Sequence, residues 1–290
     1  MMKSQGRFIL LYIIIGVNLL VGCGRKAAPQ YVIGVSQCSE DIWRDKFNKE
    51  LQMAEYLNDS IQVKLASSND DSKLQTRQIN QMIDEKVDLL VIAPNQLNTI
   101  SPAINRAYDK GIPVIIYDRK ANSNKYTAFI GCDNYAIGKS MGEFIAQKLQ
   151  GKGRVVEIRG LEGSSPALER HRGFMEAMKK YPGMQVVASE AGDWKEESGK
   201  KVMQRILDKT RDFDYVFSHN DRMGWGAYQV VRDRGLARNY KFTGMDAMAT
   251  RNGGLELVRD GIFEASYLYP TKGDEVVALA MRILRHQPFK

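Results

Sequence analysis

The feature that most narrows the fold of this chain is a near-unbroken alternation of short apolar runs with amphipathic stretches from Tyr31 onward. The apolar runs read YVIGVS, IQVKLA, DLLVIAP, PVIIYD, YTAFIG, RVVEIRG, MQVVASE, DYVFSH, KFTGMD and FEASYLY. Most lack strict polar–apolar alternation, as expected of parallel strands buried on both faces. Between them, IWRDKFNKELQMAEYL places Phe47, Leu51, Ala54 and Leu57 on one side of a helix. SKLQTRQINQMIDEK does the same with Leu74, Ile79, Met82 and Ile83, and ALERHRGFMEAMKKY and ESGKKVMQRILDK follow the rule. Turn signals such as DKGIP at 109–113 and YPG at 181–183 separate the units. The pattern predicts an α/β protein with doubly wound parallel sheets. Ten strands are many for one small sheet, so a division near residues 131–134 predicts two Rossmann-like lobes of similar size. A ligand enclosed between facing strand ends follows from that topology.

The N-terminus constrains the compartment. A short basic stretch, MMKSQGR, precedes an apolar run over residues 8–22 that is interrupted by Asn18. The run is shorter than the ~20 residues of a membrane-spanning helix, and a basic segment followed by such a run is the pattern of a secretory signal. Residues 1–23 are therefore expected to direct export to the periplasm. Leu20, Val21, Gly22 and Cys23 resemble a bacterial lipobox, in which Cys23 would be lipidated. An ordinary signal peptide, or an uncleaved anchor with an incidental cysteine, is the alternative. Contact with the membrane is expected only through that signal or lipid. Beyond the signal only Cys38 and Cys132 remain, so no disulfide framework supports the fold. The net charge of +8 raises the question of nucleic acid. Segments such as DEKVD, KEESGKK and RDRGLAR mix both signs, and no basic tract or helix-turn-helix precedes Tyr31. No nucleic-acid partner is expected.

The candidate site residues cluster at predicted strand ends. Ser36 closes the first strand, Trp43 follows it, and Asp118 and Arg119 close the fourth. Arg170, Trp194, Asn220 and Asp246 lie beyond later strands, and Tyr269 closes the last. Asp, Asn and Arg offer paired acceptors and forked donors, and Trp offers a flat apolar face. That mixture suits a compact, hydroxyl-rich, uncharged molecule such as a sugar. Adjacent strand residues point to opposite faces, which predicts no direct Asp118–Arg119 pair and favours a ligand role. Arg170, on a charged helix, has a solvated arginine as its bland alternative. Trp43 and Trp194 have core packing as theirs, although both lie among polar neighbours. Asp221 is expected to cap the helix that starts there, and Trp225 to pack.

Other signals carry less. Gly138, Lys139 and Ser140 lack the upstream glycine of a phosphate loop. The Gly160–Gly163 turn is not GxSxG. His171, His219 and His286 match no metal spacing. Neither a metal, another cofactor nor a catalytic set is expected, and the chain is read as a non-enzyme.

The segments VIGVSQCSEDIW, PVIIYDRKA, FIGCDNYAIGKSMGEFI, GSSPALERHRGF, GDW, SHNDRMGWGAY and FTGMD resemble the ribose-binding (LacI-like periplasmic) branch of the periplasmic sugar-binding proteins. The resemblance runs from about Tyr31 to the end of the chain. It implies the type I periplasmic binding protein fold, with 31–132 and 270–290 in the N-terminal lobe and 133–269 in the C-terminal lobe. By position it implies that Asp118, Arg119 and Arg170 bind ring hydroxyls, that Trp43 and Trp194 form aromatic walls, and that Asn220 and Asp246 take further hydroxyls. Two positions depart from the family pattern. Ser39 and Glu40 stand near the first helix where ribose binders carry Asn, and Tyr269 stands where they carry Gln. The class survives these changes; ribose itself does not follow. QCSEDIWR, GSSPALERH and YLYPT resemble the sugar-sensing ectodomains of hybrid two-component sensors from gut Bacteroides-type bacteria. The family continues with a final strand past the helix at RILRHQPFK, so this resemblance implies a chain lacking its C-terminal strand. Two partners stay open: a histidine kinase region, or the membrane permease of an ABC sugar importer. The lipobox favours the importer, and the motif wording favours the sensor.

Overall fold

The computed structural model describes residues 30–289. The signal segment 1–23 and Cys23 lie outside the described residues.

The first sheet has five parallel strands in the order β2-β1-β3-β4-β5. They are β1 (Tyr31–Gln37), β2 (Ile61–Ser67), β3 (Leu89–Ile92), β4 (Val114–Tyr117) and β5 (Ala128–Ile130). Helices α1 (Ile42–Tyr56), α2 (Ser72–Asp84) and α3 (Ser101–Asp109) make the crossovers. Every residue of β3 and β4 is buried, which is why LLVI and VIIY read as continuous apolar runs. The edge strands β2 and β5 are only partly buried. Asp41 caps α1 by accepting from Arg44 N, and Asp71 caps α2.

The second sheet repeats the plan in the order β10-β9-β8-β6-β7. Its strands are β6 (Lys152–Arg159), β7 (Gly183–Ala191), β8 (Tyr215–Ser218), β9 (Lys241–Asp246) and β10 (Ala265–Leu268). They alternate with α4 (Asn134–Lys148), α5 (Ser165–Lys179), α6 (Glu196–Lys209), α7 (Asp221–Asp233) and α8 (Gly254–Arg259). All pairings in both sheets are parallel. Two parallel five-stranded sheets flanked by helices define a type I periplasmic binding protein fold.

The last helix, α9 (Gly273–Leu284), returns to the first sheet's layer and packs on α1 through Val276, Ala280 and Ile283 in one core with Phe47 and Leu51. The segment leading into it is tied to α1 by Thr271 Oγ1, which donates to Glu50 Oε1 at 2.7 Å, and by Gly273 N, which donates to Glu50 Oε2 at 2.9 Å. Two helical expectations need correction. Leu57 is 74% exposed, because α1 ends at Tyr56 and Leu57 is its C-cap. On α2 the buried face takes Gln75, with Leu74 half-buried beside it.

The lobes meet at the lip opposite these crossings. Leu97 N donates to Gly163 O at 3.2 Å, Lys120 N donates to Ser165 Oγ at 2.7 Å, and Lys195 Nζ lies 2.7 Å from Asp70 Oδ2. The cleft between the lobes is closed in this conformation.

Candidate functional site

The closed cleft encloses a cavity with about 500 Å³ of unfilled space, counting the part open to solvent. Its walls come from the segments after β1, β4, β6, β7, β8, β9 and β10. Parallel strands enter from both sheets with their carboxyl ends toward the gap, so loop side chains converge there.

From the N-terminal lobe come Trp43, Asp118 and Arg119, which are 7%, 7% and 4% exposed. From the facing lobe come Arg170, Trp194, Asn220 and Asp246, and Tyr269 lies at the crossing between lobes. Ser36 does not belong with them. It remains inside β1, paired with Ile92, fully buried, and accepts from Gln75 Nε2 at 3.3 Å. The cavity is lined by loops beyond the strand end, which Ser36 does not reach.

Asp118 is the most engaged carboxylate. Its Oδ1 accepts from the Tyr269 hydroxyl at 2.8 Å, and its Oδ2 accepts from Arg44 Nη2 in a buried ion pair. The expectation of no Asp118–Arg119 pair is corrected. β4 stops at Tyr117, and Asp118 has φ +59°, so strand alternation no longer separates the two side chains. Arg119 Nε lies 3.9 Å from Asp118 Oδ2, and its Nη1 donates to Asn95 O at 3.3 Å. Arg44 also lines the cavity, a residue that the strand-end pattern does not single out although it follows Trp43 and shares the helical stripe of Phe47 and Leu51. An arginine on an apolar stripe signals a buried partner. Burial alone would push the Arg44 guanidinium down, but Cys38, Asp118 and Asp41 outweigh burial and hold it above its ordinary value.

Arg170 is fixed by Nε donating to Asn134 Oδ1 at 2.9 Å and Nη1 donating to His219 O. Its guanidinium lies 4.7 Å from the Tyr269 ring centroid and 5.4 Å from that of Trp194. Asn134 Nδ2 in turn donates to the Tyr269 hydroxyl at 3.3 Å. A continuous chain therefore links Asp118 to Arg170 through one tyrosine and one asparagine. Asn134, at the first turn of α4, left no signal in the sequence apart from its place after Asp133.

The aromatic walls differ. Trp43 packs like a core residue while still touching the cavity: its Nε1 donates to Tyr269 O at 2.8 Å and its ring stacks on Tyr117. Trp194 is half-buried, has φ +68° and lies against Gly160. A Cβ on residue 160 would fall 2.0 Å from the indole, so any other residue there must displace the Trp194 ring. Trp225 packs on the second core and stacks on Tyr228, as expected.

Asn220, not Asp221, caps α7: its Oδ1 accepts from Met223 N at 2.9 Å while Nδ2 donates to Trp194 O at 3.0 Å. Asp221 instead turns inward, accepting from Ala247 N and Ser266 Oγ at 2.8 and 2.7 Å. Asp246 has φ +111°, a sparsely populated backbone held in place by its surroundings. Burial and then the neighbouring Asp221 raise its carboxyl well above the usual range, against the pull of Arg170. A protonated Asp246 can donate as well as accept.

The assembled site has forked donors, fixed acceptors and flat walls supplied by two lobes that meet around it. Over residues 33–288 the chain matches the periplasmic binding protein domain, and it belongs to that family. Family membership carries a periplasmic location. The galactofuranose-binding protein of Escherichia coli is 30% identical over 234 residues, covering 78% of this chain and 73% of that protein. The ribose import binding protein of Bacillus subtilis is 33% identical over 175 residues, covering 60% of this chain and 57% of that protein, under two thirds of its length. A solved structure of the fructose binding periplasmic domain of a hybrid two component system is similar with a TM-score of 0.88 and 43% identity, covering 90% of this chain and 87% of that one. The sequence resemblance to periplasmic sugar-binding proteins stands.

Proposed function

We propose that this protein is an exported receptor that closes around a neutral monosaccharide or small oligosaccharide and acts as the ligand-sensing part of a signalling system. The observation that carries the reading is the cavity shared by both lobes, with Asp118 and Arg119 facing Arg170, Trp194, Asn220 and Asp246. A ligand shifts the open–closed balance only through contacts it makes better in one state. A sugar that bridges these two sets would stabilise the closed state and so report its own presence.

In this reading Asp118 accepts ring hydroxyls, Arg119 and Arg170 donate to ring or hydroxyl oxygens, and Trp43 and Trp194 flank the apolar faces. Asp246, with its raised carboxyl, serves a hydroxyl as donor or acceptor. The site binds without transforming, needs no cofactor, and Tyr269 takes the place of a residue that would read ribose. Similarity to a fructose-binding domain at 43% identity supports D-fructose as the first ligand to try.

The test is isothermal titration of the protein against D-fructose, D-ribose, D-galactose and sucrose. Saturable binding of one of these sugars supports the reading, and no heat with any sugar from folded protein would reject it. The second reading is the solute-binding lipoprotein of a sugar importer, favoured by similarity to a ribose import binding protein. Deleting the gene separates the two: loss of a sugar-induced transcriptional response supports the sensor, and loss of sugar uptake the importer.

A further inference from the structure

On β6, an inner strand of the second sheet between β8 and the edge strand β7, lies a charged cluster that is not among the groups lining the cavity. Glu157, on β6, is fully buried. Its Oε1 is 2.9 Å from His219 Nε2, and its Oε2 is 2.7 Å from His171 Nδ1 and accepts from Ser189 Oγ at 2.6 Å. The histidines, separated in sequence, thus converge on one carboxylate. An isolated buried carboxylate is costly unless paired and hydrogen-bonded, and this one has three partners.

The His219 ring has a defined tautomer. Gly160 N donates to Nδ1 at 3.3 Å, so the ring hydrogen sits on Nε2 and points to Glu157. Burial holds the His219 imidazole below its ordinary value, so the ring stays neutral. Glu157 would rise on burial, but the bonds from His171, His219 and Ser189 bring it down to about 2.

The His219 residue ties the segment after β8 to the turn after β6, two of the segments that shape the C-terminal-lobe side of the cavity. At its backbone, His219 accepts Arg170 Nη1 on its carbonyl, and the next residue, Asn220, holds the Trp194 carbonyl. At its Nδ1 it holds Gly160, the glycine on which the Trp194 indole rests. Arg170 and Trp194 are therefore both referenced to one residue, His219: Arg170 through the backbone carbonyl and Trp194 through Gly160 at the ring, whose other nitrogen meets Glu157.

We propose that Glu157 is a positioning residue of the sugar site, acting through the His219 ring to hold Arg170 and Trp194 in register. This rests on the sugar-binding reading above. Such a role depends on the reach of the side chain and on an acceptor aimed at His219 Nε2. It does not depend on the charge. Glutamine keeps both, since its Oε1 can accept from His219 while its Nε2 donates toward His171 Nδ1 or Ser189 Oγ. Aspartate keeps the charge but is one methylene too short.

The experiment compares Glu157→Gln with Glu157→Asp, both polar and both compatible with the buried site. Titration with D-fructose is read beside the NMR signals of the Trp194 indole NH and the Arg170 Nε–H in ligand-free protein. Positioning predicts near-normal affinity and unshifted signals for Glu157→Gln. It predicts an affinity a few-fold to about ten-fold weaker for Glu157→Asp, the order expected when a hydrogen bond of ordinary strength is lost, with both signals shifted or broadened. The reverse order would assign the role to charge and overturn the proposal, as would two variants that are both normal or both equally impaired. If the wild-type protein binds no sugar, the binding reading fails, while the ligand-free signals still decide the positioning claim by the same order.

Discussion

The Tyr269 hydroxyl donates to Asp118 Oδ1 at 2.8 Å and accepts from Asn134 Nδ2 at 3.3 Å, so one phenol joins the two lobes beneath the cavity. With Arg44 on Oδ2, both oxygens of Asp118 are oriented before any ligand arrives. Each oxygen has a second lone pair, which remains for a hydroxyl. Fixing the acceptor in advance lowers the ordering cost of binding.

Tyr269→Phe removes only the hydroxyl and keeps the ring over which Arg170 lies. Hydrogen bonds to charged groups contribute ~1.5–3 kcal/mol, so sugar affinity by titration should fall about ten- to a hundred-fold, with the fold retained. Unchanged affinity would mean that Arg44 alone orients Asp118.

Asp118→Ala is a poor probe, because it strands Arg44, which is 3% exposed. Removing one partner of a buried pair costs ~3–5 kcal/mol. Asp118→Asn keeps the shape and should abolish sugar binding in a protein that still unfolds cooperatively in urea. Arg44→Met should lower unfolding stability by the full single-partner cost, ~3–5 kcal/mol, by leaving Asp118 buried. Sugar binding by Asp118→Asn at wild-type strength would remove Asp118 from the site.

The lip contact between Lys195 and Asp70 forms only when the lobes meet. Lys195 is 55% exposed, so the pair is worth no more than ~1 kcal/mol. Lys195→Ala should speed sugar dissociation a few-fold in stopped flow and leave association unchanged, since closing contacts act mainly on release. High salt should erase the difference. A slower association rate instead would place the contact on the encounter path.

Much of this was legible in the sequence. The two-sheet fold followed from apolar runs with no polar alternation, because strands buried on both faces leave that trace and β3 and β4 are such strands. Polar residues at the ends of strands were legible as cavity groups because loops beyond parallel strands converge on the gap between the sheets. Arg44 and Asn134 were not, since what makes them part of the site is a partner far away in the chain: Asp118 for one, Arg170 for the other. Ser36 lies one step short of the site, because a strand's last residues still face its own helices. The Asp118–Arg119 contact leaves no trace in the sequence, because a positive φ breaks strand alternation and apolar periodicity carries no sign of that turn.

The pH dependence of stability has a definite shape. Asp221 is buried, and burial outweighs the bonds from Ser266 and Ala247 to push its carboxyl up from 3.8 to about 7. A carboxyl raised on folding binds more protons folded than unfolded, so between those values stability grows as pH falls. Asp246, also raised, acts in the same direction. His171 is raised by its bond to Glu157, so its contribution is complete below 6.5 and is lost as pH rises through its folded value. His219 works the other way below 6.5, since burial keeps it neutral while the unfolded ring takes a proton. Glu157 stabilises above 4.5, and that contribution disappears as pH falls toward about 2. The ligand-free melting temperature should therefore rise from about pH 8 to about pH 5 and drop below about pH 4. Calorimetry across that range, with Asp221→Asn as the control that flattens the upper limb, checks it. A wild-type maximum at pH 8 would mean that Asp221 is ionised in the fold.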